Sequence, residues 1–243
     1  MTKRPLLEMS VETLEAAIAA ARGGADRIEL CENLSVGGVT PHAELMQQAR
    51  AQIGIPIFAM IRPRGGDFHY SAAEFAEMKT QIEFAKSTRM DGVVLGILTT
   101  DGGVDVRRTA ELADLVYPLP VTFHRAFDEL KDVQAGLEDV ISTGATRLLT
   151  SGGAATAAEG ARTLAGLLRQ AGSRITILPG GGIRPGNLRT IARETRASEF
   201  HSGLSNLLPA SGRGHGEFEA GVRELVRVLE EEARDLQPAP STG

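Results

Sequence analysis

Short apolar segments alternate along the chain with longer segments in which apolar residues recur at helical spacing. The apolar segments have the length and composition of buried strands. They predict eight strands, at residues 6–10, 27–32, 56–62, 92–98, 121–127, 147–151, 175–179 and 199–202. The segments between them predict helices at residues 11–22, 72–87, 106–116, 135–143, 157–171, 187–194 and 217–234.

This alternation indicates a parallel sheet, because two parallel neighbours need a crossover and a helix is the usual one. Each predicted strand ends in a polar or glycine-rich segment, which favours a closed barrel over an open sheet with one switch point. The 243 residues leave about 30 for each of eight units. The predicted fold is therefore α/β, a single (β/α)8 TIM barrel over residues 1–236, followed by a disordered tail at 237–243.

Composition narrows the choice of partners. The formal charge of -5, from 26 basic and 31 acidic residues, argues against a nucleic acid or an anionic membrane as the main partner. No apolar run reaches the length of about 18 residues that crosses a bilayer, and we find no secretory signal, so we expect a cytoplasmic protein. A metal ion, a small anionic molecule or another protein remains as the partner.

Two carboxylates lie inside predicted apolar strands. Glu8 follows Leu-Leu, and Glu29 lies between Ile and Leu. A buried ionised carboxylate needs a partner, a hydrogen-bond network or a cation, so both are candidates for acid/base or metal chemistry. The alternative is a structural ion pair with a barrel arginine such as Arg62 or Arg125.

Further polar residues follow other predicted strands. Arg62 closes the third strand and suits a bidentate grip on an anion. His124 has a side chain suited to proton transfer or metal ligation, and the adjacent Arg125 and Asp128 are candidates to bind or orient a ligand beside it. His201 adds a second histidine on the eighth strand. We expect all five at the carboxyl ends of the strands, where TIM barrels carry their active sites.

Glycine-rich turns follow the sixth and seventh strands. Ser151 and Gly152 form part of the first, and Gly181 and Gly182 part of the second. Such turns resemble the backbone-amide cups that bind phosphate in many barrels. The alternative is a tight turn from strand to helix without a ligand.

These residues support the hypothesis of an enzyme that acts by acid/base isomerase or lyase chemistry on a small anionic substrate, with phosphorylated compounds among the candidates. A non-enzymatic scaffold is the alternative, because a fold alone does not fix function. The sequence leaves open whether the chain is an enzyme. Its single cysteine, Cys31, excludes an internal disulfide and a closed multi-thiolate site within one subunit.

Six ordered sequence blocks resemble the CutC family, and the resemblance spans residues 7 to about 201. They are GGADRIELC at 23–31, GGVTP at 37–41, MIRPRGGDF at 60–68, FHRAFD at 123–128, LTSG at 149–152 and PGGGI at 179–183. The resemblance implies a TIM barrel, a homo-oligomer and a cytoplasmic copper homeostasis protein that binds Cu(I) through cysteine, here Cys31. Several relatives carry cysteine where this chain has Ser10, Gly153 and Ser202.

Overall fold

The computed structural model describes residues 4–208 and 214–235, and the tail predicted at 237–243 lies outside them. Within the described residues the strands are β1 Leu6–Val11, β2 Arg27–Leu30, β3 Ile57–Met60, β4 Gly92–Leu95, β5 Val121–Phe123, β6 Arg147–Thr150, β7 Thr176–Pro179 and β8 Glu199–Ser202. The helices are α1 Leu14–Arg22, α2 Ala43–Gln52, α3 Ala72–Ser87, α4 Val106–Val116, α5 Val133–Ser142, α6 Ala161–Ala171, α7 Pro185–Thr195 and α8 Gly216–Asp235.

All the strand pairs are parallel, in the order β7-β6-β5-β4-β3-β2-β1-β8. β7 and β8, at the two ends of this order, lie side by side and bring the sheet close to a closed barrel. This confirms the predicted single (β/α)8 barrel. None of the helices in the described part of the chain is long and apolar enough to cross a membrane.

The eight predicted strands are all present, but four of them end two or more residues earlier than predicted. Predicted strands that reached residues 32, 62, 98 and 127 end at Leu30, Met60, Leu95 and Phe123. In the last case His124 starts a 3-10 turn over Arg125–Glu129, which takes the backbone out of the sheet. Helix α2, which is rich in glutamine, is absent from the predicted elements.

The apolar core has two parts. Most buried apolar side chains lie between the strands and the surrounding helices. A smaller cluster, made by Cys31, Phe58, Met60 and Val94, is separate from this main core. Its members alternate along β3 with residues of the main core, which places them inside the barrel. The barrel interior is therefore apolar beside β3 and β4 and at Cys31, the residue that follows β2.

Side-chain caps hold the loops that precede several helices. Thr13, Asp105 and Asp132 accept hydrogen bonds from amides in the first turns of α1, α4 and α5. Ser71 and Glu74 form a reciprocal capping box on α3. Each cap contributes about 1 kcal/mol. Because these helices start at the carboxyl ends of the strands, the caps also fix the rim around the barrel mouth.

Candidate functional site

A cavity of about 540 Å³ opens at the carboxyl ends of the strands. Its volume is in the range of small-molecule sites, about 300–1,000 Å³. The cavity brings together seven of the residues that the sequence predicted, namely Glu29, Arg62, His124, Arg125, Gly181, Gly182 and His201. The lining does not include Glu8, Cys31, Asp128, Ser151 and Gly152.

A chain of charged side chains runs through the barrel interior beneath the cavity. Arg27 donates from Nε to Glu8 Oε2, and from Nη2 to Glu199 Oε2 at 2.5 Å. Arg147 Nε donates to the same oxygen of Glu199 at 3.3 Å. The partner of Glu8 is therefore Arg27, and not Arg62 or Arg125 as the ion-pair alternative supposed.

His201 connects this chain to the cavity. Its Nδ1 lies 2.7 Å from Glu8 Oε1, and its Nε2 lies 4.0 Å from Glu29 Oε1. Glu29 Oε1 accepts a hydrogen bond from Ser10 Oγ at 2.8 Å. Glu29 Oε2 is buried and has no hydrogen-bond partner among the described residues. This carboxylate atom therefore lacks the partner that a buried charge requires.

Burial and neighbouring charges change the pKa values of Glu8, Glu29 and His201 in different ways. Burial would raise the pKa of Glu8, but Arg27 and His201 together lower it to about 2. Burial raises the pKa of Glu29, and Glu8 adds to this effect. For His201, burial acts to lower the pKa, but Glu29 and Glu8 more than offset it and the pKa is raised. Glu8 is thus ionised, whereas Glu29 and His201 are each stronger bases than the free side chains.

The same trio has the spacing of a metal site. One ligand atom from each of Glu8, Glu29 and His201 lies within 4.8 Å of the others. Both oxygens of Glu8 already accept hydrogen bonds, however, from Arg27 and from His201. A cation bound by all three would have to displace one of these donors. The three side chains therefore form a hydrogen-bonded network and do not offer a free set of metal ligands.

His124 is the second histidine of the cavity and is neutral. Its Nδ1 accepts a hydrogen bond from the Ala126 amide at 3.2 Å, which leaves the proton on Nε2. Nε2 is buried and has no partner among the described residues. Burial, and then the charge of Arg62, lower the pKa of His124 to about 3. Gly96 makes room for the ring, because a Cβ there would lie 2.6 Å from Nδ1.

Arg62 binds backbone rather than presenting its full guanidinium to the cavity. It donates to the carbonyls of Val36 and Gly38 in one loop and of Gly66 in another. Its guanidinium also lies 4.6 Å from the centre of the Phe68 ring. These contacts join two rim loops. Arg62 thus lines the cavity while most of its donors are engaged.

The amides after β6 are occupied by a carboxylate of the chain itself. Asp128 accepts from the backbone amides of Ser151 and Gly153, each at 3.0 Å, and from the Thr150 hydroxyl. The Gly152 amide donates to Thr150 Oγ1 at 2.8 Å. Asp128 thus fills the cup that the sequence predicted around Ser151 and Gly152.

The turn after β7 keeps its amides free. Gly181 and Gly182 have φ values of 96° and 70°, which glycine adopts without strain. Within residues 4–208 and 214–235, the amides of Gly181, Gly182 and Ile183 find no hydrogen-bond acceptor. Arg125 packs against Gly181 and donates to Ser151 Oγ at 3.0 Å. Three amides and a guanidinium therefore meet at one side of the cavity.

Cys31 lies below the cavity lining. Its Sγ donates to the Val11 carbonyl at 3.5 Å and lies 3.6 Å from Ser10 Oγ. Burial, followed by the charge of Glu29, raises the pKa of the thiol. The backbone of Gly38 covers it, since a Cβ on Gly38 would lie 3.2 Å from Sγ.

Sequence reasoning missed the buried charges at the base of the barrel. Arg27, Arg147 and Glu199 are not among the predicted site residues, although each lies in a predicted strand. The alternation of side chains along a strand could have identified two of them. Arg27 shares a face of β2 with Glu29, and Glu199 shares a face of β8 with His201. Ser10, which donates to Glu29, is found by the same rule applied to Glu8.

Comparison with known proteins gives consistent results. The sequence profile described as the CutC family matches residues 5–206. A CutC family protein of Chromobacterium violaceum is 48% identical over 226 residues, covering 91% of this chain and 92% of that protein. The human copper homeostasis protein cutC homolog is 48% identical over 196 residues, covering 81% of this chain and 72% of that protein. A crystal structure of CutC from Streptococcus agalactiae superimposes with a TM-score of 0.77 at 33% identity, covering 81% of this chain and 97% of that one.

Proposed function

The chain belongs to the CutC family, and on this premise we propose that it acts in copper homeostasis, with Cu(I) bound through Cys31. Support comes from the names of the human and mouse relatives, which are called copper homeostasis proteins. The observation that carries the proposal is a pair of soft donors in one buried cluster, the Cys31 thiol and the Met60 thioether.

These two side chains suit Cu(I), which prefers thiolate and thioether ligands. A Cβ on Gly38 would lie 3.2 Å from Cys31 Sγ and 3.6 Å from Met60 Cε, so both side chains face the same glycine. Because burial raises the pKa of the Cys31 thiol, the sulfur keeps its proton until a metal replaces it. Binding of Cu(I) therefore releases a proton.

An anaerobic competition titration with a chromophoric Cu(I) chelator tests this assignment. We expect the reduced protein to bind Cu(I) stoichiometrically, Cys31→Ser to lose tight binding, and Met60→Leu to bind more weakly. Met78→Leu is the matched control, because Met78 is equally buried but lies on α3 outside the cluster. Equal affinity in the parent and Cys31→Ser would reject Cys31 as the ligand.

The family resemblance also supports a cytoplasmic location and self-association, and both form part of this proposal. Fractionation of cells that express the chain at its native level tests the location. Light scattering coupled to size-exclusion chromatography tests the subunit number, and a mass equal to one chain at all concentrations would reject the homo-oligomer.

A second candidate function is an enzyme that acts on a small anionic substrate at the cavity. The observation that favours it is Glu29 Oε2, a buried carboxylate atom without a partner among the described residues, in a wall that also holds two histidines. Perturbed buried groups that converge on one cavity are typical of active sites. The free amides at Gly181 and Gly182 would hold the anionic group.

Titration with inorganic phosphate, followed by amide NMR, tests the anion site. We expect saturable shifts of the Gly181 and Gly182 amides. Gly182→Ala should weaken binding, because its φ of 70° disfavours a side chain. Gly186→Ala is the control, since a Cβ there meets nothing within 4 Å. Unsaturable or absent shifts would reject the anion site.

A further inference from the structure

We propose that the barrel mouth catalyses proton transfer at the carbon next to a carbonyl group, in a small hydroxycarbonyl compound that carries a phosphate or carboxylate. In this assignment His201 takes the proton, His124 polarises the carbonyl oxygen, and the turn after β7 holds the anionic group. The proposal rests on the second candidate function and not on copper binding.

His201 has the surroundings of a general base. Its Nδ1–H donates to Glu8 Oε1 at 2.7 Å, which fixes the ring and leaves Nε2 as the atom that accepts a proton. Glu8 is a positioning residue, because it does not line the cavity and acts through His201. Arg27 keeps Glu8 ionised, so the imidazolium that forms during the reaction lies beside a fixed negative charge.

His124 provides the electrophile. Since Nδ1 accepts from the Ala126 amide, Nε2 carries a hydrogen, and no group among the described residues accepts it. A neutral imidazole donates to a carbonyl oxygen without holding it as a permanent ion pair, an arrangement that suits the formation of an enolate. The lowered pKa, about 3, keeps the ring neutral at physiological pH.

The anion position follows from the free donors at the turn after β7 in the cavity wall. Gly181, Gly182 and Ile183 present backbone amides that lack acceptors within the described ranges, and Arg125 lies against Gly181. Successive free amides form a concave site for an anion. Asp128 occupies the neighbouring amides after β6, so these are not available to a ligand, whereas the amides of the turn after β7 are.

The step balances within the substrate and the side chains. The C–H bond next to the carbonyl breaks, its proton goes to His201 Nε2, and its electron pair forms a carbon–carbon double bond. The carbonyl oxygen becomes an enolate stabilised by His124 Nε2–H. When the substrate's hydroxyl proton moves to the enolate oxygen and the proton on His201 returns to the former carbonyl carbon, the product is an isomer with the carbonyl on the neighbouring carbon. Return of the proton to the original carbon gives exchange or epimerisation. The reaction consumes no oxidant, reductant or cofactor. Glu29 Oε2 is placed to accept a hydrogen bond from a substrate hydroxyl.

Solvent exchange tests this chemistry across the whole class of substrates at once. The full chain is incubated in D2O with α-hydroxyketones and α-hydroxyaldehydes of triose to hexose size that carry a phosphate or a carboxylate. Deuterium at the carbon next to the carbonyl is followed by NMR. We expect exchange with at least one compound, reduced at least about 100-fold in His201→Asn and in His124→Asn. His124→Gln should recover part of the rate, because its amide can place a donor near the position of Nε2.

Two further variants separate structural effects from catalytic ones. Glu8→Gln should lower kcat with little change in KM and should remove the downfield Nδ1 proton resonance of His201. His42→Asn is the control, since His42 is exposed and pairs only with Glu32 among the described residues. Circular dichroism confirms that each variant is folded.

The outcomes discriminate between the two proposals. Phosphate binding at Gly181 and Gly182 without exchange of any compound would overturn the proton-transfer proposal and leave the anion site standing. Absence of both would overturn the proposal together with the second candidate function. Exchange that is unchanged in His201→Asn and in His124→Asn would also overturn it, because the reaction would then occur elsewhere.

Discussion

Arg27 is the residue on which the buried charges of the barrel interior depend. It contacts Glu8 and Glu199, and all three side chains are almost completely buried. Burying charges is costly unless each has a partner, and a missing partner leaves an uncompensated charge in a medium of low polarity. At the residue scale this makes Arg27 more sensitive to substitution than the arginines that line the rim.

Arg27→Met should therefore be strongly destabilising. We expect a loss of about 3–5 kcal/mol in the free energy of unfolding, because Glu8 loses its guanidinium and Glu199 keeps only Arg147. Urea denaturation measures the loss. Arg174→Met is the control, since Arg174 pairs with Glu138 on the surface, and its midpoint should stay close to that of the parent. Equal effects of the two substitutions would contradict the network.

Glu8 should also give the protein an acid-sensitive stability. Its pKa is lowered from 4.5 to about 2, so its contribution is fully present above pH 4.5 and is lost as the pH falls through about 2. Such a shift corresponds to roughly 3 kcal/mol at neutral pH. Glu8→Gln should remove this contribution, so the curve of unfolding free energy against pH should be flatter between pH 4.5 and 2. A variant curve parallel to that of the parent would exclude Glu8 as the source.

At the element scale, the sequence predicts the strands better than the site. Apolar runs identify all eight strands, because strands buried on both sides leave a continuous signal. The strand ends are less certain, since His124 turns the chain by accepting the Ala126 amide, a local contact that periodicity does not register. Helix α2 escapes prediction because its glutamines and arginine dilute the apolar pattern.

The site was predictable only in part for the same reason. Glu29, His124 and His201 can be identified because polar residues at strand ends are conspicuous in apolar surroundings. The sequence does not reveal that Asp128 occupies the turn at Ser151 and Gly152, because this depends on a contact between separate loops. Residue type indicates which groups lie at the rim, whereas loop conformation determines which donors remain free.

Gly96 gives a test of how one element supports the next. It follows β4, and a Cβ there would lie 2.6 Å from His124 Nδ1 and 3.2 Å from the Phe123 ring. Gly96→Ala should cost about 1–3 kcal/mol through overpacking and should shift the imidazole resonances of His124. Gly54→Ala, where a Cβ meets nothing within 4 Å, should do neither. Unchanged His124 resonances in Gly96→Ala would show that the ring does not need this space.

At the scale of the whole molecule, closing the sheet is what assembles the candidate site. Arg147 on β6 donates to Glu199 on β8, although these strands lie near the two ends of the strand order, and they meet because β7 and β8 lie side by side. Two arginines, Arg27 and Arg147, then balance the interior charges of Glu8 and Glu199. The contact between β7 and β8 is the seam that closes the barrel. His201 on β8 and Gly181 after β7 also line the cavity, so loss of closure should remove the site as well.

Helix α8 is the last element of the ring and packs against α1 and α7 next to that seam. Phe218 is fully buried on α8, and its replacement by alanine should cost about 3–5 kcal/mol. If closure is cooperative, amide hydrogen exchange in β1 and β8 should accelerate by the same factor as exchange in β4 and β5, on the far side of the barrel. Val36→Ala, at a half-exposed position, should leave these rates nearly unchanged. Faster exchange confined to α8 would show instead that the helix detaches while the barrel stays closed, and the candidate site would then survive its loss.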